Sequence, residues 1–202
     1  MLRKIVSGIA AGLMISLGGT VFLACENRVV GAFCFTIGLL GVCYYGFSLY
    51  TGRIGYIAEK HDNDYLSGLL LGLLGNLIGT VLCGLAVRLA TPWGDAAESV
   101  AEAKLALSAG SVLIRAAFCG ILVYVAVNLF RDKKTAVGIL IGIPVFILSG
   151  FEHSVADMFY LAAAGTFSPE AAWFIVLVLI GNSVGAVLFD RLVFYSRERK
   201  KS

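Results

Sequence analysis

Between Lys134 and Glu170 the chain runs for 35 residues with Glu152, His153 and Asp157 as its only acidic, basic or imidazole side chains. A straight membrane span needs about 20 residues, and 35 residues of helix would reach roughly 50 Å, so one straight crossing does not account for this run. Ionisable groups at membrane depth are costly and face protein or a cavity rather than lipid. A break at Ser149-Gly150 lets His153 line a cavity inside the bilayer. In the alternative, the helix leaves the membrane early and Glu152 and His153 sit among headgroups.

The rest of the chain has the same character. Six apolar runs lie at about 5–25, 29–50, 66–87, 107–130, 135–164 and 171–189, joined by short polar connections. Only 14% of residues are charged, against about a quarter in soluble domains, which makes the runs membrane spans. The first run continues past signal-peptide length without a cleavage site and reads as a retained span. Arg3, Lys4, Arg53, Lys60, Arg131, Lys133, Lys134 and the tail from Arg191 to Lys201 fall on one side of the bilayer. Glu26, Arg28, Arg88, Asp95, Glu98, Glu102, Lys104 and Glu170 fall on the other. The positive-inside rule then puts both termini in the cytoplasm, as six crossings require. Arg115, inside the fourth run, must face protein or a vestibule.

A net charge of +3 with no basic stripe gives no case for a nucleic-acid partner. Cys25, Cys34, Cys43, Cys83 and Cys119 show no CxxC spacing and read as small buried hydrophobes. One intramembrane imidazole and scattered carboxylates do not make a metal site, so neither metal nor cofactor is expected. No nucleophile elbow or phosphate loop points to an enzyme.

Gly75-Asn76-Leu77-Ile78-Gly79-Thr80-Val81-Leu82 recurs as Gly181-Asn182-Ser183-Val184-Gly185-Ala186-Val187-Leu188. Each copy follows an interrupted apolar segment, one at Leu49-Tyr50-Thr51-Gly52-Arg53 and one at Ser149 to Ser154. The expectation is one transmembrane channel domain over 1–202, built from two three-helix repeats, roughly 1–90 and 105–202, of opposite topology. Matching broken helices in such repeats point to a permeation site near the midplane. The spacing is uneven: Thr51 to His153 is 102 residues, Asn76 to Asn182 is 106. Asn76 and Asn182 can each bond a broken helix end, or serve a plain helix contact. Thr51 can face His153 across the pseudo-twofold axis, or close a local turn.

Ser149-Gly150-Phe151-Glu152-His153-Ser154-Val155-Ala156, with Leu49-Tyr50-Thr51-Gly52, the two Gly-Asn elements and Phe35-Thr36-Ile37-Gly38-Leu39, resembles the formate/nitrite transporter family, which includes hydrosulfide channels. The resemblance runs from Ser7-Gly8 to Gly185. It implies an all-α membrane protein with six transmembrane helices in two inverted repeats, aquaporin-like, with broken second and fifth helices. It also implies a homopentamer in the bilayer of the cell membrane, with one pore per protomer for small monovalent anions. His153 and Thr51 would form the pore centre. Leu39 with Phe35 or Tyr50 would form one constriction and Phe146 the other, while Lys104 would draw anions into the outer vestibule. Asn76, Asn182, Glu152 and Asp157 would be the supporting polar groups.

This reading implies passage of a small weak-acid anion of the formate, nitrite or hydrosulfide class, alone or with a proton. The alternatives are an aquaporin-like pore for neutral solutes, and a membrane enzyme or non-conducting assembly protein. Departures from the family pattern are Asp157 in place of Asn, Gly120 in place of Asn after Cys119, Arg53 in place of Asn or Ser, and Tyr50 in place of Phe. Asp157, four residues after His153, either shares that helical face and favours a charged imidazole, or is exposed at the vestibule. The short amino terminus argues against gating by a cytoplasmic segment.

Overall fold

Small residues let two pairs of long helices come close enough to touch backbone to backbone. The first pair is α1 (Leu2–Ala24) with α4 (Asn63–Ala90), and the second is α6 (Ala109–Lys133) with α9 (Pro169–Glu198). In bilayers such close packing, rather than hydrophobic burial, holds helices together. The computed structural model describes residues 1–198. The tail cations Arg199, Lys200 and Lys201 lie outside the described residues.

The two pairs make matching contacts. A Cβ at Gly12 would press on the Asn76 backbone of α4, and one at Gly120 on the Asn182 backbone of α9. Gly79 faces the Ile9 carbonyl as Gly185 faces that of Ala117. Gly120, where a lost polar group was expected, is therefore a helix contact.

Among the described residues, five helical stretches are long and apolar enough to cross a membrane: Leu2–Ala24, Arg28–Tyr45, Asn63–Ala90, Ala109–Lys133 and Pro169–Arg197. The second of these comprises α2 (Arg28–Cys34) and α3 (Thr36–Tyr45), joined at Phe35. Two shorter apolar helices, α7 (Val137–Leu148) and α8 (Ser154–Ala163), flank the pentapeptide from Ser149 to His153. The connection between the third and fourth runs is more than a polar link. It contains α5 (Gly94–Leu105), whose buried Ala97 and Ala101 face sits on α8. Of the cysteines only Cys119 is fully buried, and Cys34 is exposed.

Helices α3 and α7 end alike. Gly46 and Gly150 take left-handed conformations, with φ of 68° and 67°, a backbone state that glycine enters without penalty. Phe47 N–H then bonds Val42 O, and Phe151 N–H bonds Phe146 O. These bonds close the orphan carbonyls of each helix end. Past Gly46 the chain is non-helical until a 3-10 turn at Ile54–Ala58.

Candidate functional site

Interrupting a helix inside a bilayer frees backbone groups that lipid cannot satisfy. One asparagine answers this in each half. Asn76 Oδ1 accepts from Tyr50 N–H at 2.9 Å, and its Nδ2 donates to Ser48 O and Gly8 O. Asn182 Oδ1 accepts from Ser154 N–H at 2.9 Å, and its Nδ2 donates to Glu152 O and Ala116 O. Both amides are fully buried and use three hydrogen bonds each. Each amide thus ties a non-helical stretch to a helix other than its own.

The same bonds fix how the halves correspond. Gly46-Phe47-Ser48-Leu49-Tyr50 matches Gly150-Phe151-Glu152-His153-Ser154, so His153 stands where the first half has Leu49. Thr51 is thus not the position equivalent to His153, contrary to the reading from the 102-residue spacing. The repeated Gly-Phe was the sequence signal for this register. The uneven spacing follows, because each connection between the anchored elements has its own length.

His153 and Thr51 nevertheless meet. Nε2 of His153 lies 2.8 Å from Thr51 Oγ1, with the side chains almost wholly buried. His153 also caps α8, its Nδ1 accepting Ala156 N–H at 3.1 Å. A ring nitrogen that accepts carries no proton, so the neutral tautomer has its proton on Nε2. Nε2–H therefore donates to Thr51.

Aromatic rings stack above this pair. Phe146 lies against the imidazole with centroids 5.7 Å apart, and Phe35 meets Phe146 edge-on at 6.1 Å. Phe35 and Phe146 thus meet within the apolar core that also holds Leu39. Leu39 shares the larger apolar core with Leu49. Tyr50, expected at that constriction, packs instead among Ile54, Tyr56 and Tyr124, and its hydroxyl pairs with Ser183 at 2.8 Å. The phenol has a polar partner on α9, which draws it away from the apolar cluster.

Phe35, Phe146 and His153 floor a cavity of about 460 Å³ whose walls carry Arg28, Lys104, Arg115, Glu152 and Asp157. Lys104 is not the free cation expected there. Its ammonium binds Glu152 and, at 2.8 Å, Asp157, and lies 5.8 Å above the Tyr160 ring. Burial opposes its charge, but the carboxylates of Asp157 and Glu152 outweigh burial and hold it above the ordinary lysine range. Asp157 faces Lys104 rather than His153, and is buried rather than exposed at a vestibule; its Oδ2 has no hydrogen-bond partner among the described residues. Arg53 is tied locally, donating to Ser48 Oγ at 3.0 Å beside the Tyr65 ring.

The family model for the formate/nitrite transporter matches residues 1–196. An uncharacterized transporter of Bacillus subtilis, YrhG, is 32% identical over 196 residues, covering 87% of this chain and 73% of its own. The formate channel FocB of Escherichia coli is 27% identical over 195 residues, covering 81% and 68%. A solved pentameric formate channel with formate bound has a TM-score of 0.79 at 22% identity, covering 98% of this chain and 97% of that one.

Proposed function

The chain belongs to the formate/nitrite transporter family and is thus a membrane channel or transporter rather than an enzyme, and on that premise we propose that it passes small monovalent weak-acid anions through a pore centred on His153 and Thr51. The observation that carries this reading is the buried His153–Thr51 pair beneath a cation-walled cavity, with Phe35 and Phe146 between them. The anion enters from the outer cavity, slips past Phe35 and Phe146, meets Nε2–H of His153 or the Thr51 hydroxyl, and leaves past Leu39 and Leu49.

A bare anion is poorly stabilised among these apolar side chains. The low dielectric raises the pKa of a weak acid, so the anion takes up a proton and crosses as the neutral acid. Because Nδ1 is engaged at the α8 cap and Nε2–H at Thr51, His153 acts as a hydrogen-bond donor and water supplies the proton. Formate, nitrite and hydrosulfide are all weak-acid anions of suitable size.

The domain comprises two inverted repeats, with the pair α7–α8 completing six crossings and both termini in the cytoplasm. Five copies assemble in the cell membrane, each with its own pore. The apolar groove of about 590 Å³ between α4 and α9, lined by Leu70, Leu74, Leu77, Phe167 and Leu179, supports contact with lipid or a neighbouring copy.

The test is flux into proteoliposomes of formate, nitrite, hydrosulfide, chloride and glycerol, with and without an imposed pH gradient. Saturable weak-acid entry that grows with an inward proton gradient and is lost in His153→Phe is the expected result. Glycerol passing while every anion is excluded would replace this reading with a neutral pore.

A further inference from the structure

The outer cavity has a cation without a carboxylate beside it, and it is not Lys104. Three cations and two carboxylates wall the cavity. Lys104 takes up both carboxylates. Arg115, on the first turns of α6, makes no ion pair among the described residues. Its Nε donates to Ser111 Oγ at 3.1 Å and its Nη1 to Gly150 O at 3.2 Å. These bonds leave Nη2 and one Nη1 hydrogen without an intramolecular acceptor. They also hold the plane of the guanidinium still beside the loop that carries His153. Arg28, at the start of α2, is the second cation on the wall and likewise makes no ion pair among the described residues.

We propose that Arg115, assisted by Arg28, is the outer capture site of the pore, and that its guanidinium selects planar two-oxygen anions, carboxylates and nitrite, over spherical or single-atom anions such as chloride and hydrosulfide. The inference deepens the anion-passage reading and rests on it. A guanidinium offers parallel N–H groups that match a carboxylate or nitrite with two short charge-assisted hydrogen bonds. Chloride and hydrosulfide gain the charge attraction but not the paired geometry. With Lys104 taken up by Glu152 and Asp157, Arg115 and Arg28 are the charges that keep the cavity positive overall. An anion held there sits immediately outside Phe146, above the hydrogen-bond donors of His153 and Thr51.

The experiment combines formate flux into proteoliposomes with binding of carbon-13 formate to the detergent-purified chain by saturation-transfer NMR. In the unaltered protein nitrite and acetate should displace formate where equal chloride does not. Arg115→Lys, which keeps the charge and loses the fork, should raise half-saturating formate on the order of tenfold with maximal flux retained, and should let chloride compete. Arg115→Gln should weaken formate binding further. An unchanged half-saturation in both variants would overturn the proposal, as would chloride competing as well as nitrite in the unaltered protein. That last comparison decides the matter even if a variant does not fold. Arg115-dependent binding without any anion flux would remove the passage reading and leave the capture site standing. Absence of formate binding in the unaltered protein would remove the capture site.

Discussion

His153 Nε2 donates to Thr51 Oγ1 across 2.8 Å while Nδ1 of the same ring caps α8 through Ala156 N–H. One imidazole thus joins the two non-helical loops and starts a helix, with no nitrogen left over to receive a further proton without breaking one of these bonds.

This double duty separates two substitutions. Asparagine is a good helix N-cap, so His153→Asn should keep the Ala156 bond and the fold while losing the donor to Thr51. His153→Phe leaves the buried Ala156 N–H without an acceptor, at a cost of about 1–3 kcal/mol. Thermal unfolding in detergent should rank the unaltered protein and His153→Asn above His153→Phe, and flux should fall in both variants. Equal stability of the two variants would refute the capping role.

Because Asn76 and Asn182 make the same three kinds of bond, their substitutions should behave alike. Asn182→Asp keeps the acceptor for Ser154 N–H but removes two donors, leaving Glu152 O unpartnered and Ala116 O with its bond inside α6 alone, and it buries a charge. Each lost partner costs about 1–3 kcal/mol. Asn76→Asp strips Ser48 O of its partner and leaves Gly8 O with its bond inside α1 in the same way. Both should lower the yield of folded protein and its unfolding temperature by similar amounts, read by size-exclusion chromatography and thermal scanning.

The apolar runs were plain in the sequence because membrane spans are long and nearly uncharged. So was the polar centre, since His153 is alone among apolar residues. Helix α5 was hidden because it is short and charged, although Ala97, Val100, Ala101 and Lys104 recur at helical spacing on one face. The fate of Lys104 was hidden for another reason. Its carboxylate partners lie about fifty residues further on, and spacing along the chain does not reveal a bond made between α5 and α8. The Phe35–Phe146 contact and the Tyr50–Ser183 bond were not legible, because they depend on rotamers and on a distant hydroxyl.

The Lys104 cluster makes a charge prediction. Asp157→Asn removes one of two carboxylates from the cavity wall and leaves Lys104 paired with Glu152. The wall becomes more positive, so half-saturating formate and nitrite should fall while maximal flux stays similar. Lys104→Met leaves two buried carboxylates facing each other without a cation, a loss of about 3–5 kcal/mol, and folding should recover when Glu152→Gln and Asp157→Asn are added. An Asp157→Asn protein with weaker anion affinity than the parent would contradict this account.

The raised lysine value sets the pH range over which that cluster holds. A cation whose folded pKa lies above its unfolded value contributes stability that is complete below the unfolded pKa, and loses it only as pH rises through the folded one. Lys104 is shifted upward, so its ion pairs should persist throughout neutral and mildly alkaline solution. Unfolding temperature should therefore show no fall attributable to Lys104 between about pH 7 and 9. A fall there that vanishes in the triple variant Lys104→Met, Glu152→Gln, Asp157→Asn would show that the cluster titrates in that range.

Gly120 offers the sharpest packing prediction. A Cβ there would lie 2.9 Å from Cα of Asn182 and closer still to its carbonyl oxygen, all backbone that cannot yield without shifting α9. Moving α9 would also pull Asn182 away from Ser154 and Glu152, so the damage should reach the loop that carries His153. Gly142, which also faces α6 but from α7, has only Ala126 Cβ and Leu122 O as neighbours, both at 3.7 Å. That is an ordinary contact distance. Gly120→Ala should therefore lose folded protein and flux together. Gly142→Ala should fold and gain up to about 1 kcal/mol from helix propensity. If Gly120→Ala proved as stable and conductive as Gly142→Ala, the backbone contact between α6 and α9 would not be what fixes Asn182 at the broken helix.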